Sequence, residues 1–185
     1  GNSLAVIYDP RGNVIQQTLN PKPGSGETAI TVTANYDASC VLAVKCNKPN
    51  WTTDALNNQT DYGYDPVHGG VVTVTAPADS AGVRPQTRVT YSTRQAYFKN
   101  ATGSIVASGK NTYLPTGISQ CLSGASCAAT ANERKTTIDY GPQVAGTANN
   151  LLPVSQTVAA GDNSVSLTTS QTFDAFGNVK SVDGP

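Results

Sequence analysis

The chain has 185 residues, zero formal net charge and only 13% charged residues, against roughly a quarter in ordinary soluble domains. Neutrality removes the electrostatic footprint of a nucleic-acid binder, and no run of about 18 apolar residues is present to cross a bilayer as a helix. Thr, Ser, Asn, Gly and Pro fill the spaces between short Val, Ile and Tyr runs, which is the composition of strands and turns. The expected fold is therefore all-β: an array of antiparallel β-hairpins in a twisted or spiral sheet, with long loops and little or no helix. Gly1-Asn2-Ser3-Leu4 is neither a signal peptide nor a natural initiator, and the chain lacks Met. We read residues 1–185 as a single β-sheet segment of a larger chain.

Leu4 to Tyr8 and Val14 to Thr18 form the first predicted hairpin, joined by Asp9-Pro10-Arg11-Gly12. Asp at the first position of a type I turn bonds forward to the backbone, and Pro at the second presets φ. Gly at the fourth takes the left-handed conformation that closes a G1-bulge hairpin. After the loop Pro21 to Gly26, residues Ile30, Val32, Ala34 and Tyr36 alternate with Thr31, Thr33 and Asn35, the pattern of a half-buried strand. Turns of the same spelling recur near 54–57, 65–70, 100–103 and 174–177. In the first of these, Asp54 starts the turn and Asn57 replaces glycine, since Asn tolerates positive φ better than other side chains. Asp65 to Gly69 holds one extra residue and predicts a longer loop, whereas Asn100 to Gly103 and Asp174 to Gly177 fit without proline.

Between these turns, Val71 to Thr75 and Thr87 to Tyr91 are predicted to pair around the loop Pro77 to Gly82. Ala125 to Arg134 is the only helix candidate. Lys135 to Tyr140 and Val165 to Thr169 are strand candidates, and 143–150 reads as an irregular loop. The turn starts Asp9, Asp54, Asp65, Asn100 and Asp174 are separated by 45, 11, 35 and 74 residues. That spacing is too irregular for a solenoid of fixed rung and suits hairpins linked by insertions of varied size.

The four cysteines fall into two pairs, Cys40/Cys46 and Cys121/Cys127, each with five residues between. Two local disulfides are the expected reading, although four cysteines permit three connectivities; a four-thiolate zinc site is the alternative. A ring of about seven residues contributes roughly 2 kcal/mol in the loop-entropy picture. Oxidised pairs place maturation in a periplasmic or extracellular compartment.

Candidate chemistry is thin. His68 is the sole histidine, in a Gly-rich hairpin loop, and is expected to be a solvated turn residue; no Gly-x-Ser-x-Gly elbow accompanies it. Asp54, Asp61 and Asp65 invite a calcium reading, but their spacing does not match an EF-hand and two of them start turns. Trp51, the one tryptophan, is expected to pack a strand against its neighbour, with stacking on a sugar ring as the competing role. Tyr62, Tyr64, Tyr91 and Tyr97 are read as sheet-packing residues with a polar tip. No catalytic, cofactor or metal residue is assigned.

The motif Tyr8-Asp9-Pro10-Arg11-Gly12-Asn13-Val14, its relatives at 64–71 and 173–179, and the stretch Thr53 to Asp65 closely resemble the YD repeats of bacterial RHS proteins. The block Cys40 through Pro49, with Thr53-Asp54-Ala55, Pro77-Ala78 and Gly82 to Arg88, resembles the proteobacterial branch of that family. The resemblance covers nearly the whole chain. It implies a scaffold, because RHS proteins, Tc toxin B and C components and teneurins wind hairpin arrays into a hollow shell. The partners implied are the rest of that shell and an enclosed C-terminal toxin. The family's self-cleaving segment, with an Asp-Pro-x-Gly-Leu signature, is not carried over, since Asn13 stands where Leu would be. A bacterial secreted or cell-surface location follows from the same resemblance. Two alternatives stand beside the scaffold: an extracellular carbohydrate-binding or adhesion module, and a β-protein that self-associates through its edge strands into a dimer or fibre.

Overall fold

A computed structural model describes residues 1–121, 123–174 and 177–185. It is all-β, with no helix among the described residues. The chain divides into two compact units, Gly1–Gln86 and Thr87–Pro185.

The first unit is a six-stranded antiparallel meander in which each strand pairs with the next. Its strands are β1 (Ser3–Tyr8), β2 (Val14–Asn20), β3 (Ile30–Asn35), β4 (Trp51–Thr53), β5 (Gln59–Tyr64) and β6 (Val71–Thr75). Alternation in the sequence becomes two different faces. On one, Leu4 faces Leu19 and Leu19 faces Ile30 across the register. On the other, Thr18 and Thr31 share a hydroxyl hydrogen bond at 3.1 Å, and Thr33 and Thr53 do so at 2.6 Å. Threonine suits these positions because its branched Cβ favours the pleat while its hydroxyl finds a partner across the strands.

The second unit also holds six strands in one antiparallel sheet. These are β7 (Gln86–Arg94), β10 (Thr112–Cys121), β11 (Glu133–Asp139), β12 (Ser155–Ala160), β13 (Ser166–Phe173) and β14 (Val179–Asp183). Between β7 and β10 the chain makes a separate two-stranded hairpin, β8 (Tyr97–Lys99) and β9 (Ile105–Ala107). The turn at 100–103 therefore belongs to an inserted hairpin rather than to the main sheet.

Little of either sheet is covered. Buried hydrophobic residues are Cys121, Cys127, Tyr140 and Ala159, all in the second unit. Among the described residues no side chain is fully enclosed, while Leu4, Leu19 and Ile30 in the first unit and Leu167, Val179 and Val182 in the second lie exposed. A sheet normally buries one apolar face against a second layer. Among the described residues neither sheet buries an apolar face in this way, and backbone pairing, turns and clips carry a larger share of the stability.

The expected helix at Ala125 to Arg134 does not form. Successive turns bond Thr130 N to the Cys127 carbonyl and Glu133 N to the Thr130 carbonyl, each at 3.1 Å, and Ala129 adopts φ of 62°. That backbone is incompatible with continued α-helix, and β11 begins at Glu133. The interval 143–150 is irregular, as its composition suggests, but it is tied to the β8–β9 hairpin by reciprocal backbone bonds between Tyr97 and Asn149, both 2.9 Å.

Candidate functional site

The repeated turn is a carboxylate-centred device. At the first hairpin, Asp9 N donates to the Asn13 carbonyl at 2.8 Å and Gly12 N to the Asp9 carbonyl at 3.0 Å. Asp9 Oδ1 accepts from the Arg11 and Asn13 amides at 2.9 and 2.8 Å, and Oδ2 accepts from Asn13 Nδ2 at 2.8 Å. Gly12 has φ of 84°, as a G1 bulge requires. Asp54 repeats the arrangement with the Leu56 and Asn58 amides and Asn58 Nδ2, and Asn57 occupies the left-handed position at φ 60°. Asp174 accepts likewise from Asn178 N and Nδ2, with Gly177 at φ 86°; Ala175 and Phe176 of that turn lie outside the described residues. Asn100 accepts from the Thr102 and Ser104 amides, with Gly103 at φ 85°.

Two parts of this pattern lie outside the sequence reading. The residue four after the Asp is Asn in three turns, where its side-chain amide occupies the second carboxylate oxygen. Asp79 builds a further copy, accepting from Ala81 and Val83 amides at 2.8 Å each, with Gly82 at φ 78°. It lacks both the preceding aromatic and the following Asn; the spacing Asp79-Ser80-Ala81-Gly82 was the available signal.

At Asp9, Asp54 and Asp65 the turn's own hydrogen bonds favour the carboxylate form. At Asp9, burial opposes the charge but is outweighed by the Asn13 and Arg11 hydrogen bonds, leaving the carboxyl below the usual range. At Asp54 the Asn58 side chain, then its backbone amide, lowers the carboxyl. Asp65 is lowered by the His68 and Val67 amides.

The Asp65 loop differs. With one more residue, Asp65 N reaches the Gly70 carbonyl at 2.8 Å and Gly69 takes φ of 71°. His68 is not solvated: its side chain is 11% exposed, Nδ1 accepts from Gly70 N at 3.0 Å, and Nε2 lies 3.4 Å from Asp65 Oδ1. The imidazole is thus a structural brace of its own loop. Asp54 and Asp65 sit at opposite ends of β5, about 20 Å apart at the usual strand rise. Asp61 between them pairs with the Arg84 guanidinium, whose Nε also holds the Ala76 carbonyl at 2.9 Å. The three do not converge, and among the described residues no cluster of three His, Cys, Asp or Glu could hold a metal.

Both cysteine pairs are disulfides, Cys40–Cys46 and Cys121–Cys127. The first clips a loop at the end of the first sheet. There Arg11 donates to the Asp37 carbonyl, Lys45 Nζ grips the Asp37 carboxylate at 2.9 and 3.0 Å, and Lys48 donates to the Gly69 carbonyl. Tyr64 Oη donates to the Pro49 carbonyl at 2.9 Å, beneath the Lys48 ammonium 5.6 Å from its ring. Asp37 is held low by the Lys45 and Asn50 side chains. The second disulfide is buried beside Glu133, which is 6% exposed and accepts from Ser119 Oγ and from Ala129 N at 2.8 Å. Those two bonds, Ser119 first, hold the Glu133 carboxyl below its ordinary value.

Trp51 starts β4, half-buried, facing Asn35 on one side and Asp61 on the other. It lines an open cleft of about 570 Å³ whose walls also include Pro10, Arg11, Ile15, Tyr36 and Asp37. Tyr62 Oη pairs with Thr52 Oγ1 at 3.2 Å, and Tyr97 Oη donates to the Gln143 carbonyl at 3.5 Å, so both tyrosines anchor a polar tip. Tyr91 lies in β7, half-buried and facing Pro115 of β10. Two buried residues had no short-range signal. Tyr140 Oη donates to the Pro115 carbonyl at 3.0 Å, and Asn149 Nδ2 donates to the Tyr140 and Pro142 carbonyls at 2.7 and 3.0 Å.

No family model matches the chain, and no curated protein matches it in sequence. In structure it is similar to a chain of the crystal structure described as TcdB2-TccC3-Cdc42, at 15% identity and a TM-score of 0.57. The likeness covers 100% of this chain and 8% of that one. At that identity it shows the fold: a layer of antiparallel β-hairpins found as a small part of a much larger protein.

Proposed function

We propose that this chain is a wall segment of an RHS/YD-repeat β shell, a structural part rather than an enzyme. The observation that carries the reading is the end-to-end structural match to a short stretch of a TcdB2-TccC3 chain, a Tc toxin component of the class the YD-like turns resemble. Three features support it. The turns at Asp9, Asp54, Asp65, Asp79, Asn100 and Asp174 satisfy their own backbone amides with an Asp or Asn side chain, so those hairpins need little core to organise them. Apolar rows such as Leu4-Leu19-Ile30 are left uncovered, as expected of a wall whose faces meet other parts of a shell or its contents. His68 and the aspartates are engaged in turns and ion pairs, which leaves them structural work. On this reading the partners are neighbouring shell strands and an enclosed toxin, and the two disulfides suit an oxidising extracellular setting.

Hydrogen exchange tests it on the natural polypeptide that carries these residues. The amides of β1 and β14 are expected to be protected there by strands outside residues 1–185 and to exchange faster in the 185-residue chain alone. Equal exchange in both, with the chain a compact monomer by light scattering, overturns the shell reading. Concentration-dependent protection in the short chain points instead to self-association through the same edges.

A further inference from the structure

The cleft beside Trp51 is unaccounted for by a wall. Its volume, about 570 Å³, lies in the range of small-ligand sites, about 300–1,000 Å³. A smaller recess of about 190 Å³ shares Ile15, Thr33 and Ala34 with it.

The lining combines aromatic surface with charges that are already spent. Trp51, Tyr36 and Pro10 contribute to the lining. Asp9 and Arg11 neutralise each other at 3.3 Å, and Asp37 is neutralised by Lys45 at 2.9 Å. No net charge remains to select an ionic ligand. Thr33 and Asn35 add polar side chains to the same lining.

The floor is also fixed in advance. Arg11 ties the first turn to the Asp37 carbonyl, and Asn50 Nδ2 bridges Asn35 Oδ1 and Asp37 Oδ1 at 3.0 Å each. A stacking platform held rigid needs little ordering when a ligand arrives. Aromatic side chains, a neutral lining and neighbouring Asn and Thr groups suit the two surfaces of a pyranose: an apolar C–H face and a rim of hydroxyls.

We infer that this cleft binds a neutral oligosaccharide, with one pyranose ring stacked on Trp51. Because Trp51 is the only tryptophan, its fluorescence reports the site directly. The 185-residue chain would be screened on an array of neutral and acidic glycans, then titrated with cellotriose, maltotriose and chitotriose. The expected result is a saturable change in tryptophan emission and protection of Trp51 from N-bromosuccinimide by a neutral glycan. Trp51→Ala should weaken binding at least about tenfold, about 1.4 kcal/mol, while Trp51→Phe retains most of it. The protection assay uses the unmutated chain, so a variant that fails to fold does not blunt the test. Absence of any glycan signal, binding that leaves Trp51 emission and oxidation unchanged, or preference for acidic glycans would each overturn the inference.

Discussion

The two disulfide loops have the same length and opposite surroundings. Around Cys40–Cys46 the loop stands in solvent, with Val41 85% exposed; its own Lys45 reaches Asp37, and the flanking Asp37 and Lys48 are tied to Arg11 and to the Gly69 carbonyl. Around Cys121–Cys127 both cysteines are buried, at 3% and 7% exposure, and the buried Glu133 carboxylate joins the residues on either side of the ring, Ser119 and Ala129. One spacing in the sequence therefore serves two purposes. The first clip shapes a surface at the end of a sheet, joining the turns at Asp9 and Gly69; the second substitutes for a core in a sheet that has almost none.

The largest break in this comparison should come from Cys121→Ser with Cys127→Ser. Losing the ring constraint and its buried cysteines is expected to cost about 4 kcal/mol, against about 2 kcal/mol for the Cys40/Cys46 pair, read from urea unfolding midpoints. Equal losses would show that burial adds nothing to the second clip. Next comes Gly69→Ala. Its φ is positive, and an added Cβ would lie 2.5 Å from the Val44 carbonyl oxygen in the clipped loop, whereas Gly12 has open space around it. We expect about 3 kcal/mol for Gly69→Ala and about 1 kcal/mol for Gly12→Ala, the latter from backbone strain alone.

Glu133→Gln, at about 2 kcal/mol for the charged hydrogen bonds it removes, sharpens the comparison most in mechanism. The pH dependence has a definite sign. Because Ser119 and Ala129 hold the folded Glu133 carboxyl below its ordinary 4.5, its contribution is complete above that value. It is lost as pH falls through 4.5 toward the lowered folded value. Chemical denaturation between pH 7 and pH 3 should show a steep acid limb in the parent and a shallower one in Glu133→Gln. Asp9, Asp54 and Asp65 contribute in the same direction below their ordinary 3.8.

Strands and turns were legible because their causes are local. Asp9-Pro10-Arg11-Gly12 carries its whole hydrogen-bond set within five residues, so its spelling suffices. Asp79 has neither the aromatic before it nor the Asn after it, so only the Asp-to-Gly spacing that the backbone needs marks its turn. The false helix at 125–134 had neither periodicity nor a cap; its conformation is imposed by Cys127 and by Glu133, which reaches back to Ala129. Glu133, Tyr140 and Asn149 could not be read as buried, since Tyr140 meets its partner 25 residues away and Asn149 also bridges to Tyr97. The cleft is invisible in sequence for the same reason, being assembled from three separated segments around Trp51.

The strand order within each unit has a kinetic consequence. In the first unit each strand pairs with its predecessor, and in the second only the β8–β9 insertion interrupts that succession. Contacts close in sequence form early and at small loop-closure cost, so a hairpin can mature before the next strand arrives. Such a chain can fold in the direction in which it emerges from a ribosome or an export channel.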